Sequence, residues 1–594
     1  MVDTHRFKTG EIMVYDVVIK NGTIVDGTGR ERFKGDIGIS RGKISFIGDL
    51  GGETGEITLN AEGLIVSPGF IDVHTHADTI LLHYPEALNY VYQGVTTVIG
   101  GNCGYSPGPL REMWLMDDWE YDWWHEISPY KWYRPVMLPL EKVNEKMREK
   151  YGWIIDWKTI GEFLDRLEER GVSINYVPMT GHNTIRAAVM GLDYKREASK
   201  SELGEMKELL EESLDEGAIG FSTGLDYEPG RYATTGEIVE LVETLRDHGG
   251  IYVSHVRSRV KGFLGEKYYG VLEAIEIGRR TGVPVHISHL FSVYDVYPPL
   301  INDYMHRCAA RQTIKIIDDA LGKGINVTYD IIPNTSGGLF VIPYLKSLLS
   351  PWIIEMGSIE RVLRALKIPE VKEEILRDIR EGKNPYWNPL KDPYWMHTIV
   401  VIEHAVEDYV GKSISEVSKI MGLNEYETIF RLLELDTETR IKRDYVSEGE
   451  VEEFLEDPRC MIGSDTFALD VKWKVNYPPY FLPHMNTYGA FTRLIRRYVY
   501  EKRVLALEEA IRKVTPYPAE RFKLENRGVL KVSAWADIVV FDENKIKDNG
   551  DFIEPRRYSS GIVHVVVNGV PVVVNGEYTG EKCGMALRKG RGVK

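Results

Sequence analysis

From about Pro68 to Lys523 this 594-residue chain alternates short apolar runs with amphipathic stretches eight times. The runs Phe70–Val73, Thr96–Gly100, Asn175–Met179, Ala218–Phe221, Ile251–Ser254, Val283–Ile287, Ile325–Tyr329 and Met461–Ile462 have strand length. Between them, stretches such as Thr159–Arg170, Lys200–Asp215, Thr235–His248 and Tyr269–Thr281 place apolar residues at helical spacing. Strand and helix in strict alternation imply a parallel sheet, and eight units predict a closed (β/α)8 TIM barrel.

The two chain ends read differently. Residues 1–66 hold short alternating runs bounded by Asn21-Gly22 and Arg41-Gly42, which predict hairpins. The pattern returns in residues 525–594, where Val563–Asn568 and Val570–Asn575 flank a turn at Gly569. One small β-sandwich domain assembled from both ends is therefore expected beside a barrel domain of residues 67–524. Two stretches interrupt the barrel, at about 105–157 and 332–459. The first holds seven of the twelve tryptophans, and the second a Pro/Trp/Tyr-rich patch at Asn384–His397. Excursions this long are lids or added subdomains. For the tryptophan-rich one, a lid over an apolar or sugar-like substituent and a hydrophobic subdomain or oligomer contact are both open.

Charge narrows the partners. The 73 Lys and Arg against 89 Asp and Glu are mixed along the chain, without the basic stripe of a nucleic-acid-binding protein. The longest apolar runs are far below the ~20 residues that cross a bilayer, and Met1–Gly10 is too polar for a signal peptide. Four cysteines are too scattered for a disulfide framework. A soluble cytoplasmic protein with a small-molecule substrate, and no nucleic-acid or membrane partner, is expected. Only Gln93 and Gln312 represent glutamine among abundant charges, which points to a thermophile source.

The polar residues of interest lie at the C-terminal ends of the predicted strands, where barrel enzymes place their chemistry. The first strand ends in His74-Thr75-His76, and residues i and i+2 of an extended segment share a face, so both imidazoles reach one metal. The second ends in Gly100-Gly101-Asn102-Cys103-Gly104. Its glycines predict a close approach of backbone to ligand, and a thiol beside imidazoles is a soft donor suited to zinc. His255 and His289 close the fifth and sixth strands. Either alone reads equally well as a satisfied core histidine, but two at successive strand ends read as metal ligands. His286 falls on the opposite face and is read as structural. The last strand ends in Gly463-Ser464-Asp465-Thr466. Beside cations Asp465 stays ionised, takes a proton from an activated water and hands it to a departing amine; the alternative is a helix cap.

The run Ser67-Pro-Gly-Phe-Ile-Asp-Val-His-Thr-His76, the two later histidines and the final Asp465 together resemble the amidohydrolase superfamily of metal-dependent barrel hydrolases. More narrowly the chain resembles the D-aminoacylases, or N-acyl-D-amino-acid deacylases. Gly101-Asn-Cys-Gly-Tyr-Ser-Pro107, Gly181-His-Asn-Thr-Ile-Arg186, Gly217–Pro229, Ser254-His-Val-Arg257, Gly411–Glu416 and the ending from Val567 to Arg588 all carry that likeness, which spans nearly the whole chain. The resemblance implies zinc-dependent hydrolysis of an N-acyl (amide) bond. It implies one tight Zn2+ on Cys103, His255 and His289, and a second, weaker site on His74, His76, Cys103 and Asp465. Asp465 would be the catalytic base and then acid, and His182 and Asn183 substrate contacts. Many superfamily members bridge two metals through a carbamylated fourth-strand lysine; Ala218–Pro229 contains none, which fits Cys103 as the bridge.

The chain departs from that family where the substrate carboxylate is held. A lysine two residues past the sixth-strand histidine is Phe291 here, a tyrosine is Asn334 in Asp330-Ile-Ile-Pro-Asn334, and an arginine is Asn486 in His484-Met-Asn486. Two cations are lost, so the metal chemistry is expected to persist while specificity changes, with Asn486 at the substrate. Arg186, Arg257 and Arg259 are candidate replacement cations; Arg257 is kept as a substrate contact, although a structural ion pair is the plainer role for each. Two rivals stay open: a cyclic amide or imide hydrolase of hydantoinase type, and a catalytically idle ligand-binding relative.

Overall fold

Eight short strands run parallel around a barrel: β1 Phe70–Asp72, β2 Val95–Ile99, β3 Asn175–Val177, β4 Gly220–Gly224, β5 Ile251–His255, β6 Val285–Ile287, β7 Val327–Ile331 and β8 Cys460–Ile462. The structure is a computed structural model and describes residues 15–128, 134–258, 266–294, 296, 302–381, 390, 392, 394–444 and 446–594. Successive strands pair in parallel from β1 to β3 and from β4 to β8. Two joints complete the ring. After β3, Pro178 has no N–H to give the ladder, and pairing resumes at Thr180–Gly181, which lies parallel to β4. The predicted third strand, continuous to Met179, is broken there. Between β8 and β1 the joint is a parallel bridge from Thr466 to Thr75, with Asp465 N–H donating to the His74 carbonyl at 2.9 Å and His76 N–H to the Thr466 carbonyl at 2.8 Å. The residues expected to carry the chemistry thus also close the barrel.

The helices between strands start where the sequence offers caps. Thr159 and Ser199 accept from the backbone of Glu162 and Glu202, whose carboxylates reach back to the cap, so Ile160–Arg170 and Lys200–Asp215 each begin with a capping box. Each such cap contributes about 1 kcal/mol. The helix predicted from Tyr269 begins earlier, at Glu266.

Both chain ends enter one nine-stranded sheet. Strands Tyr15–Ile24, Phe33–Ser40, Lys43–Gly48, Gly55–Asn60 and Ile65–Pro68 come from the first segment, and Ile538–Phe541, Ile562–Val567, Val570–Val574 and Glu577–Tyr578 from the last. The seam is antiparallel, Ile65 opposite Phe541 and Pro68 opposite Ile538. The expected sandwich takes the form of a single continuously hydrogen-bonded sheet. Ile538 and Val540 join Ile37, Ile39 and Val566 in its own core, while Val539 and Phe541 pack into the barrel core. Burial on both faces explains why this run shows no polar alternation.

The two excursions differ physically. In the first, the antiparallel strands Met113–Leu115 and Met137–Pro139 and the helix Leu140–Tyr151 bring Trp114, Trp119, Trp123 and Trp124 into the barrel's own core. The second builds a separate core, including Leu348, Val362, Ile399, Val417 and Leu432, under the antiparallel strand pair Ile399–Glu403 with Arg440–Arg443. The helix Glu448–Glu456 returns Val451, Phe454 and Leu455 to the barrel core, so the added subdomain stops short of 459. Most of the Asn384–His397 patch, and Arg259, lie outside the described residues. No described helix is long and apolar enough to cross a membrane.

Candidate metal centre

Three groups of donor atoms meet at the C-terminal end of the barrel: His74, His76 and Cys103; Cys103, His255 and His289; and His74, His289 and Asp465. Cys103 Sγ lies 3.3 Å from His74 Nε2, 3.6 Å from His255 Nδ1 and 3.5 Å from His289 Nε2. His255 Nδ1 and His289 Nε2 are 2.9 Å apart. Asp465 Oδ1 stands 3.4 Å from His76 Nε2 and 3.6 Å from His74 Nε2. A nitrogen ~2.0 Å and a sulfur ~2.3 Å from one tetrahedral ion are roughly 3.5 Å from each other, so the sulfur–nitrogen spacings fit zinc. The donors fit as well: a thiol, imidazoles and a carboxylate in a closed space. All six residues expected as metal ligands are thus brought together, with Cys103 common to two groups.

The backbone is bent to achieve this. Cys103, His289 and Asp465 all occupy the left-handed region, at φ 52°, 34° and 52°. Such conformations cost non-glycine residues of order 1–3 kcal/mol each and persist where the surroundings hold them. The glycines beside Cys103 serve this packing. A Cβ on Gly101 would stand 2.1 Å from the Met179 carbonyl oxygen, and one on Gly224 only 1.9 Å from that of Cys103.

Buried carboxylates hold the donors from behind, and sequence reasoning missed them. Asp330 accepts the His289 backbone N–H at 3.0 Å and His286 Nε2 at 2.9 Å, and stands 3.8 Å from His74 Nδ1, which has no hydrogen-bond partner among the described residues. His286, read as structural, therefore supports this carboxylate. Asp226 takes His255 Nε2 at 3.4 Å. Asp72 accepts backbone N–H groups from both His74 and Ser464, at 3.2 and 3.0 Å, which ties β1 to β8. Asp78 accepts from Gly101 N–H at 2.8 Å and from the Tyr176 hydroxyl. Carboxylates behind metal-binding histidines fix ring orientation and raise basicity. Asp226 and Asp330 fall at the ends of β4 and β7, a rim position that was the available signal.

Electrostatics suits the same purpose. Burial acts to raise the Cys103 thiol, but the fields of His74 and His255 hold it well below the usual range, as a thiolate. Burial also acts to raise Asp465, and contact with His76 with the fields of His289 and His74 outweighs it, so the carboxyl lies below its ordinary value. Asp72, with less to offset its burial, is pushed up to about 7.

The residues expected at the substrate have partners within the protein. His182 Nε2 bonds to Glu237 at 2.9 Å, and Arg186 pairs with the same carboxylate. Asn183 donates to the Gly224 carbonyl at 3.3 Å. Arg257 spends its guanidinium on Glu273 and on the carbonyls of Arg231 and Ala233. His182, Asn183 and Arg257 thus brace the β3–β5 rim, because their partners, 16 to 55 residues distant, are set by the fold. Asn486 Oδ1 accepts from Asn334 Nδ2 at 3.0 Å, so two of the three positions singled out by the resemblance touch.

Comparison with known proteins places this architecture. The model of the Amidohydrolase family matches residues 480–573. A D-aminoacylase of Alcaligenes xylosoxydans xylosoxydans is 30% identical over 576 residues, 97% of this chain and 98% of the relative. The chain belongs to the D-aminoacylase family of amidohydrolases. A solved D-aminoacylase with a binuclear metal centre, described by one-metal activation and second-metal attenuation, superposes with TM-score 0.67 at 26% identity, covering 97% of this chain and 100% of that one. The N-acyl-D-glutamate deacylase of Bordetella bronchiseptica, solved with zinc and a phosphonate mimic of the tetrahedral intermediate, superposes with TM-score 0.66 at 28% identity over the same shares. The barrel with its β-rich domain is the D-aminoacylase architecture, and the chain is a metal-dependent amidohydrolase acting on carbon–nitrogen bonds.

Proposed function

We propose that this protein is a zinc-dependent hydrolase of N-acyl amines whose substrate lacks the free carboxylate that a D-aminoacylase clamps. The observation that carries the reading is the convergence of Cys103 with His255 and His289, with Asp465 beside it, in a chain where Phe291, Asn334 and Asn486 stand at the clamp. Cys103, His255 and His289 would hold the tight zinc ion, and His74, His76, Cys103 and Asp465 a weaker second one. Bound zinc supplies Lewis-acid activation of water and of the scissile carbonyl.

The chain's own residues supply the proton path. Asp465 is ionised and only 8% exposed. Its carboxylate takes a proton from the attacking water, the oxygen bonds to the acyl carbon, and the same proton passes to the amine nitrogen as the carbon–nitrogen bond breaks. Acid and amine leave, and Asp465 is again a carboxylate. The cyclic-imide reading is weaker, since β4, Gly220–Gly224, carries no lysine.

The test is amine release by zinc-loaded protein against N-acyl-D- and L-amino acids, their amides and esters, N-acyl amino sugars and cyclic imides. Turnover of uncharged amides with little on free carboxylates is expected. A preference for free-carboxylate D-substrates would return the protein to ordinary D-aminoacylase specificity.

A further inference from the structure

The three altered clamp positions lie beside one end of a cavity of about 90 Å3. Ser336 and His484 line it and are bonded to each other at 2.8 Å; they lie two residues from Asn334 and Asn486, which are bonded in turn. Gly337 also lines it, and a Cβ there would stand 3.2 Å from the tip of the Phe291 ring. The same end borders the metal centre. Phe340, on the cavity wall, stacks on Phe467 at 5.7 Å between ring centres, and Phe467 packs on the His76 imidazole at 5.6 Å.

Beyond this end the walls are apolar. Phe340 and Phe481 come from a short antiparallel pair above the barrel and the residue before it, Ile399 and Ile441 from the strand pair of the inserted subdomain, and Phe552 from the β-rich domain. Lys442 and Arg443 line the cavity too, but Lys442 pairs with Asp444 at 2.7 Å and Arg443 with Asp392. The carboxylate that lines it, Asp118, is paired with Arg134 at 2.8 Å. Its walls have the chemistry of a small-molecule site, and among the described residues that line it each cation is committed to an acidic partner.

We propose that the chamber receives an uncharged, extended apolar substituent on the amine part of the substrate, at the place where relatives fix a carboxylate. This rests on the reading of the metal centre as an N-acyl hydrolase, and it makes the substrate class an N-acyl amino amide with an apolar tail. The long excursion between β7 and β8 then has a use, since its antiparallel strand pair forms the far wall. An apolar tail binds ground state and transition state alike, so its effect falls on KM and leaves kcat nearly constant.

The experiment measures amine release by zinc-loaded protein from N-acetyl-alanine of each configuration and from its methyl-, butyl- and octylamides. KM is expected to fall roughly threefold per methylene until the chamber is filled. In Ile342→Trp, which narrows the cavity wall, the octyl-to-methyl ratio of kcat/KM should collapse toward one. In Ile342→Ala, which keeps the fold safe if tryptophan does not, the preferred tail should lengthen. Methylamide turnover with KM flat across the series would overturn this proposal and leave the hydrolase reading intact, and so would a preference for the free acid over every amide on the chamber side. Failure of every compound to release amine would overturn both.

Discussion

Asp330 accepts the backbone N–H of His289 at 3.0 Å, and His289 sits at φ 34°. A strained residue of the donor cluster is thus tethered by a fully buried carboxylate that also takes His286 and faces His74. Asp330→Asn keeps the volume and one acceptor but turns an amide toward His286. Zinc affinity, read by competition with a chelator, should weaken on the order of 10–100-fold. Unchanged affinity would reduce Asp330 to a packing residue.

Cys103 belongs to two donor groups, whereas His76 belongs to one. Cys103→Ala should therefore strip zinc from the protein, while His76→Ala should keep the ion held by His255 and His289. Metal content after gel filtration checks this. Equal losses in the two variants would mean that the thiol is not shared.

Glu237 binds both His182 and Arg186 within the barrel rim. Burial acts to raise its carboxyl, but these partners lower it from 4.5 to about 2. A group depressed in the folded state stabilises fully above its unfolded value and loses that contribution as pH falls through the folded one. The difference corresponds to on the order of 3 kcal/mol. The melting temperature of Glu237→Gln should fall well below that of the wild type at pH 7, where Arg186 is left buried without its partner. The gap should narrow between pH 4.5 and 2; a gap constant with pH would contradict the account.

If the clamp determines specificity, restoring its cations should restore free-carboxylate substrates. Phe291→Lys with Asn486→Arg is expected to raise kcat/KM on N-acyl-D-amino acids at least tenfold, a change of about 1.4 kcal/mol in transition-state binding. Steady-state kinetics on N-acetyl-D-leucine measures it. No gain would mean that those positions are not what excludes a carboxylate.

The metal donors could be read from the sequence because each is local to a strand end. His74 and His76 share a face by the two-residue period of a strand, and His255 and His289 end strands recognisable from their apolar runs. The doubly apolar run Ile538–Phe541 likewise announced a strand, though not that it would pair with Ile65–Pro68 across nearly the whole chain. What could not be read were partners made by the ring's closure. Asp226, Asp330 and Glu237 are ordinary acidic residues until β4, β5, β6 and β7 stand side by side. For the same reason the partners that His182, Asn183 and Arg257 have within the rim could not be read from the sequence. The glycines of the Cys103 loop signalled close approach, but by backbone to backbone.

The central claim is that Asp465 moves the proton beside a zinc ion that other residues hold. One comparison tests it: amine release by wild type and Asp465→Asn, with zinc content measured on the same samples. Because Cys103, His255 and His289 form their own group, the variant should retain its tight zinc while kcat falls by about 10²–10⁴. A variant that holds zinc and turns over at the wild-type rate would contradict the account.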